Sequence, residues 1–229
     1  EKERVIYSLD DMIAVGSVVS ENGYFYIPSF YMAEKYIAKN IRKRVNYFKN
    51  NEKGKYESID LWLSQYQKEQ NWTGDPLQIK AVVTATANPL FLCTGGPGTG
   101  KTTILKVISS YFMQKSGSVV LAAPTGRAAE RMSFCTGLEA KTIHRLLEYK
   151  PGVDDNAFQK NELNQLEADV VIIDEVSMID LLLMKSLLAA IPVFARIILI
   201  GDNKQLPSVG PGNVLSDLIN SQVIPHVHL

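Results

Sequence analysis

Apolar positions change their period along this chain, and the changes divide it into two parts. From Leu9 to Val19 they recur at helical spacing. Asn22-Gly23 then separates Val18-Val19 from Tyr24-Phe25-Tyr26-Ile27. An Asn-Gly pair between strand formers predicts a hairpin, because both turn positions tolerate positive φ. After Pro28, the residues Met32, Tyr36, Ile41, Val45 and Phe48 fall near one face of a helix predicted from Tyr31 to about Lys49. Lys35, Lys39, Arg42, Lys43 and Lys49 cluster away from that face, as a solvated surface or as a contact to a phosphate backbone. Asn50 to Lys55 is polar and reads as a loop. Helix, hairpin, helix is compatible with a partial winged-helix unit, so residues 1–70 are expected to form a small α+β segment.

Residues 71–229 follow another pattern. Pro89 to Thr94, Ser118 to Ala123, Ala168 to Ile173 and Ala195 to Ile200 are short runs rich in Val, Ile or Leu. They lack polar alternation, as expected of strands buried on both faces. Helical patterns lie between them at Thr102 to Lys115, Gly126 to Phe134, Thr142 to Tyr149 and Ile179 to Ala190. Strand-helix repetition of this kind predicts an α/β fold, a parallel sheet with helices on both sides. Pro151 to Leu166 is polar and reads as a surface excursion.

Composition narrows this only a little. Of 229 residues, 46% are hydrophobic, enough for a sizeable core, and the formal net charge is zero. Zero net charge excludes a uniformly basic coat but leaves room for a local nucleic-acid groove. Cys93 and Cys135 have no metal-type spacing and read as small core residues, consistent with a reducing cytoplasm. No apolar run reaches the ~18 residues that span a bilayer, so no membrane partner is expected. The chain starts at Glu1 and ends on the apolar stretch Ile224 to Leu229, and both ends read as cuts in a longer polypeptide.

The chemistry begins at Gly95-Gly96-Pro97-Gly98-Thr99-Gly100-Lys101-Thr102, a full match to the phosphate-binding loop G-x-x-x-x-G-K-[ST]. Its glycines let successive backbone N–H groups turn toward an anion. Lys101 can reach the β- and γ-phosphates of ATP, Thr102 can ligate Mg²⁺, and the following helix points its positive end at the phosphates. Gly96 to Thr103 is therefore the expected nucleotide-binding segment. Further on, Val170-Val171-Ile172-Ile173-Asp174-Glu175 delivers two carboxylates to the end of a buried strand. Asp174 would hold Mg²⁺ and Glu175 would activate the attacking water. Alone, this pair would also fit an acidic helix cap. A third strand ends in Gly201-Asp202-Asn203-Lys204-Gln205-Leu206-Pro207, where Gln205 can sense a γ-phosphate or sit in a turn.

Together with Ala-Pro-Thr-Gly-Arg-Ala-Ala (123–129), Thr-Ile-His-Arg-Leu-Leu (142–147), Ile-Asp-Glu-Val-Ser-Met (173–178) and the continuation to Gly212, these motifs occur in one order. That order resembles the first motor domain of RecD-type superfamily 1 DNA helicases, the exodeoxyribonuclease V alpha-subunit family, over about residues 72–229. The resemblance implies a RecA-like P-loop fold and an ATP-dependent helicase or translocase moving 5′ to 3′ on single-stranded DNA, with a role in repair or recombination. It makes Gln205 the γ-phosphate sensor. It places Pro124, Thr125 and Arg127, with Thr142 and His144, on single-stranded DNA. Read alone, Arg127 also fits a surface salt bridge and His144 a satisfied helix histidine. It assigns adenine recognition to Gln78, which equally fits a capping box after Asp75-Pro76. It also implies a second motor domain, absent here, that supplies catalytic arginines, and allows nuclease-complex subunits as partners. A clamp-loader-like or transport ATPase, and a module holding ATP as a structural ligand, are the competing classes.

Overall fold

Strands without a polar face need cover on both sides, and the chain supplies it from both of its parts. The structure is a computed structural model that describes residues 9–51, 59–115, 117–152, 158–205 and 207–229. Leu206, residues 52–55 of the expected loop and residues 153–157 of the expected excursion lie outside the described residues.

The chain opens with α1 (9–14) and the hairpin β1 (Val19–Glu21) and β2 (Tyr24–Tyr26), whose turn residues Asn22 and Gly23 have φ of 52° and 79°. Helix α2 (Pro28–Asn51) is longer than expected at both ends and starts on the proline itself. Its buried seam is Ala33, Ile37, Ile41, Arg44 and Phe48, while Met32 is exposed. The expected face is thus rotated, because a small residue and an arginine complete the seam and hydrophobicity alone passes over both.

Then come α3 (Asp60–Glu69), α4 (Pro76–Ala87), β3 (Leu90–Thr94), α5 (Lys101–Lys115), β4 (Val119–Ala123), α6 (Gly126–Thr136), β5 (Ala140–Thr142) and the short α7 (Ile143–Leu146). The chain continues with β6 (Val170–Ile173), a 3₁₀ turn (Val176–Met178), α8 (Leu181–Ala190), β7 (Arg196–Gly201), α9 (Val214–Asn220) and β8 (His226–His228). The main sheet is parallel throughout, in the order β5-β4-β6-β7-β3-β8. The four central strands sort their residues between two cores. Leu90, Leu92, Val171 and Ile173 face one, with residues of α2, α8 and α9. Phe91, Cys93, Val170 and Ile172 face the other, with residues of α3, α4, α5 and α6. Tyr66 is buried between Trp62 and Trp72.

Helix α2 is held to the sheet layer by Arg44, which is 1% exposed. Its guanidinium donates to the carbonyls of Leu188, Ile191, Pro192 and Ala195, and to Asn40 Oδ1 at 2.8 Å. These carbonyls lie at and just beyond the C-terminus of α8, where acceptors lack helical partners and the dipole favours a cation. Burial pushes the Arg44 pKa down to about 10. Removing the side chain leaves buried carbonyls unpaired, so Arg44→Met should lower stability by about 3 kcal/mol. Denaturant unfolding checks this, and a loss below about 1 kcal/mol would show the carbonyls have found other partners.

Candidate nucleotide site

The strand order puts the C-terminal ends of β3, β7 and β6 side by side, and each ends in a functional segment. From β3 the chain turns through Gly95 to Gly100 into α5. Gly100 has φ 94°, and a Cβ there would collide with the amide of Gln78. From β6 it continues into Asp174 and Glu175, and from Gly201 at the end of β7 into Asp202. A cavity of about 370 Å³ opens between them. It is lined by Gly96, Pro97, Gly98, Gly100, Lys101, Thr102, Asp174, Glu175, Gly201, Asp202 and Gln205, and also by Arg131.

The charged groups of the cavity already have hydrogen-bond partners. Lys101 Nζ donates to the loop's own carbonyls, Gly95 at 2.5 Å and Gly96 at 2.8 Å. Asp174 is 6% exposed, and its Oδ1 accepts from the Glu175 N–H at 2.9 Å. Glu175 has a left-handed backbone, φ 55° and ψ 40°. Its Oε2 faces the Thr125 hydroxyl at 3.4 Å. Arg131 Nη2 bridges the pair, 3.2 Å from Asp174 Oδ2 and 2.9 Å from Glu175 Oε1. Burial opposes the charge on Arg131, but the two carboxylates outweigh it and hold its pKa above the ordinary arginine value. Gln205 is exposed at the rim, its Oε1 accepting from Ser177 Oγ at 3.4 Å.

Not every expected nucleotide residue reaches the cavity. Thr99 turns its hydroxyl back onto Gly96 O at 2.9 Å, and Thr103 is exposed on α5. Gln78 completes a capping box with Asp75 and also donates to Thr99 O at 3.2 Å, so its amide braces the loop from behind. Pro124 and Thr125 follow β4, and Thr142 ends β5, with Ala123 paired to Thr142 in register. The expected DNA residues are therefore neighbours at the same end of the sheet. Thr125 caps α6 through Ala128 N at 3.2 Å, and Thr142 caps α7 through Arg145 N at 3.2 Å. Arg127 and His144 are exposed, and the His144 ring packs with Tyr149 and Phe158.

Sequence reading missed Arg131, Asp202 and the edge strand β8. Asp202 could have been found, since it follows a buried strand as Asp174 does. Arg131 carries no signal of its own until α6 is placed beside β6. On β8, His226 Nε2 and His228 Nδ1 flank the buried Thr94 hydroxyl at 2.7 and 2.8 Å, one step before the loop. Burial, then the neighbouring His228, lowers the His226 pKa.

The AAA domain family model matches residues 78–211, more than half of the chain. The chain belongs to this AAA domain family. Within it the sequence is RecD-type. It is 35% identical to the ATP-dependent RecD2 DNA helicase of Deinococcus radiodurans over 95% of this chain and 29% of that protein. It is 37% identical to the RecBCD enzyme subunit RecD of Mycolicibacterium smegmatis over 62% of this chain and 30% of that one. The chain thus spans about 30% of the length of the curated relatives it matches. Among solved structures, the crystal structure of Pif1 helicase from Candida albicans superposes with a TM-score of 0.54 at 23% identity. That overlap covers 69% of this chain and 39% of that one, and it supports the RecA-like P-loop fold. No helix among the described residues is long and apolar enough to cross a membrane.

Within this AAA site Lys101 is the one lysine lining the cavity, among the described residues. Lys101→Ala should therefore abolish ADP binding, as read by titration calorimetry, without unfolding the protein. Equal ADP affinity in the variant would remove the loop from the nucleotide site.

Proposed function

We propose that this chain is the ATP-binding first motor domain of an ATP-dependent DNA helicase or translocase acting 5′ to 3′ on single-stranded DNA in repair or recombination. The observation that carries this reading is the convergence of Lys101, Thr102, Asp174, Glu175 and Gln205 on one cavity from three separate strand ends.

The donor set fits a nucleotide-borne Mg²⁺. A hydroxyl from Thr102 and one carboxylate from Asp174 line the same cavity, and no cluster of three or more His, Cys, Asp or Glu side chains forms a metal cage among the described residues. Mg²⁺ of this kind takes one or two protein ligands and completes its shell with phosphates and water. When bound, it neutralises charge on the β- and γ-phosphates. Lys101 would leave the loop carbonyls for the same phosphates. Glu175 would accept a proton from water, and Gln205 at the rim would hydrogen-bond the γ-phosphate. Gln78 would read adenine with the amide N–H and oxygen lone pair that its contacts to Thr99 and Asp75 leave over.

A single-stranded DNA backbone would run across Pro124, Thr125 and Arg127 to Thr142 and His144. Both threonine hydroxyls are used as helix caps, so phosphates would meet the free N–H groups of the two helix starts and the exposed Arg127. A second motor domain would face this one across the cavity and supply arginines. Nuclease-complex subunits are further candidate partners, as RecD of Mycolicibacterium smegmatis is named a RecBCD subunit.

The test is steady-state ATP hydrolysis with and without oligo-dT, for this chain alone and for a polypeptide that also carries a second motor domain. An arginine supplied across a cleft is worth roughly 10³ to 10⁵ in rate. This chain alone should be slower by a factor of that order, with no stimulation by DNA. Equal rates in the two would overturn the two-domain reading, and a two-domain protein indifferent to DNA would overturn the helicase reading.

A further inference from the structure

Arg131 is a cation of the cavity to which the proposed hydrolysis gives no part. Lining the cavity are two cations, Lys101 and Arg131. Lys101 is turned onto Gly95 and Gly96, so it does not neutralise the carboxylates. Asp174 and Glu175 are adjacent, one buried and one partly buried, and two unpaired carboxylates there would repel each other in a poorly screened site. One guanidinium nitrogen contacts both.

An exposed surface ion pair contributes little and carries no role. This one differs in its partners. Asp174 presents one oxygen to its own backbone and the other to Arg131. Glu175 is held in a left-handed backbone conformation with its two oxygens toward Arg131 and Thr125. The Arg131 side chain itself is 52% exposed, so it can swing into solvent without leaving a cavity behind.

We propose that Arg131 is a place-holding cation. In the nucleotide-free state it occupies the Asp174 carboxylate that a nucleotide-borne divalent cation takes over, together with its neighbour Glu175, and so excludes free metal until metal arrives on a polyphosphate. Arg131 is a positioning residue, acting through Asp174 and Glu175. The proposal rests on the nucleotide-site reading for what displaces it, but its effect on free metal does not need nucleotide. It makes metal and nucleotide bind cooperatively, because each removes a cost that the other would otherwise meet.

The test uses Mn²⁺ alone as probe, with binding read from the loss of the free-ion EPR signal. Full-length wild type, Arg131→Gln and Arg131→Lys are compared without nucleotide and with saturating ADP. In Arg131→Gln, Mn²⁺ affinity without nucleotide should tighten by about tenfold, a typical size for coupling between sites. The further tightening caused by ADP should shrink by the same factor. Arg131→Lys keeps the charge but loses the fork, so it should tighten less, and it decides the matter if Arg131→Gln does not fold. ADP affinity is measured in EDTA for all three, and the effect of ADP on Mn²⁺ binding is taken relative to it, since Arg131 also lines the nucleotide cavity. Unchanged Mn²⁺ affinity in the folded variants overturns the proposal. Failure of every form to bind ADP overturns the nucleotide reading instead, and leaves the Mn²⁺ comparison to judge Arg131.

Discussion

Parallel pairing of β6, β7 and β3 sends every connection at one end of the sheet outward in the same direction. With all three strands buried, their backbone groups are used up in the ladder, and only the residues just past the strand ends are available to bind anything. Thr94, Ile173 and Gly201 are the last residues of those strands, and the segments that follow them line one cavity. The same constraint creates an electrostatic difficulty. A strand buried to its last residue places Asp174 where water barely reaches, so its charge has to be met by protein groups. The Glu175 N–H and the Arg131 guanidinium meet it.

The opposite end of the sheet is closed by arginines that serve structure. Arg44 reaches the carbonyls at the C-terminus of α8, and Arg196 Nη1 donates to Asn88 O at 3.1 Å, just beyond α4. In both places a guanidinium occupies a helix end whose carbonyls lack partners. A planar fork can serve several carbonyls at once where a lysine head would meet fewer, which suits Arg44 to five acceptors. Arginine therefore has two uses here: permanent at the N-terminal ends of the strands, and exchangeable for another cation at Arg131.

The sheet was legible because its central strands are continuous apolar runs and its phosphate loop leaves little freedom at Gly100 and Lys101. Asp174 and Glu175 could be placed from sequence because they directly follow such a run, and Lys101 and Thr102 because the glycine loop connects them to one. Strand β5 could not, since Ala140-Lys141-Thr142 is a short edge segment with no apolar run to mark it, and β8 was missed because two histidines interrupt the apolar stretch that contains it. The seam of α2 was misjudged for a related reason. Arg44 is buried by virtue of carbonyls more than 140 residues away in sequence, and no local pattern encodes an acceptor that distant. Arg131 was missed for the same cause, since its partners lie on a different strand loop. Gln78 shows the opposite case: its local signal, a capping box, is present in the structure, and its contact to Thr99 is the part that only the fold reveals.

Helix α6 joins the two surfaces of this domain. Its cap, Thr125, belongs to the segment assigned to DNA, and that same hydroxyl lies 3.4 Å from Glu175 Oε2. Arg131 sits six residues along the same helix, about 9 Å further on at 1.5 Å per residue. A rigid helix cannot shift at its start without carrying the backbone of Arg131 with it. A phosphate drawn to the N–H groups at Gly126 and Arg127, and a cation drawn to Asp174 and Glu175, would therefore act on one body. If the two favour the same displacement of α6, each strengthens the other, and if they favour opposite displacements, each weakens the other. The sign depends on whether the 3.4 Å contact between Thr125 and Glu175 shortens or breaks when Arg131 leaves. Loss of Arg131 would remove one of the two groups that hold the Glu175 carboxylate and leave it to Thr125, its remaining donor. The Thr125 hydroxyl, which caps α6 and faces Glu175, is thus the point at which charge at the carboxylates meets the surface proposed for DNA.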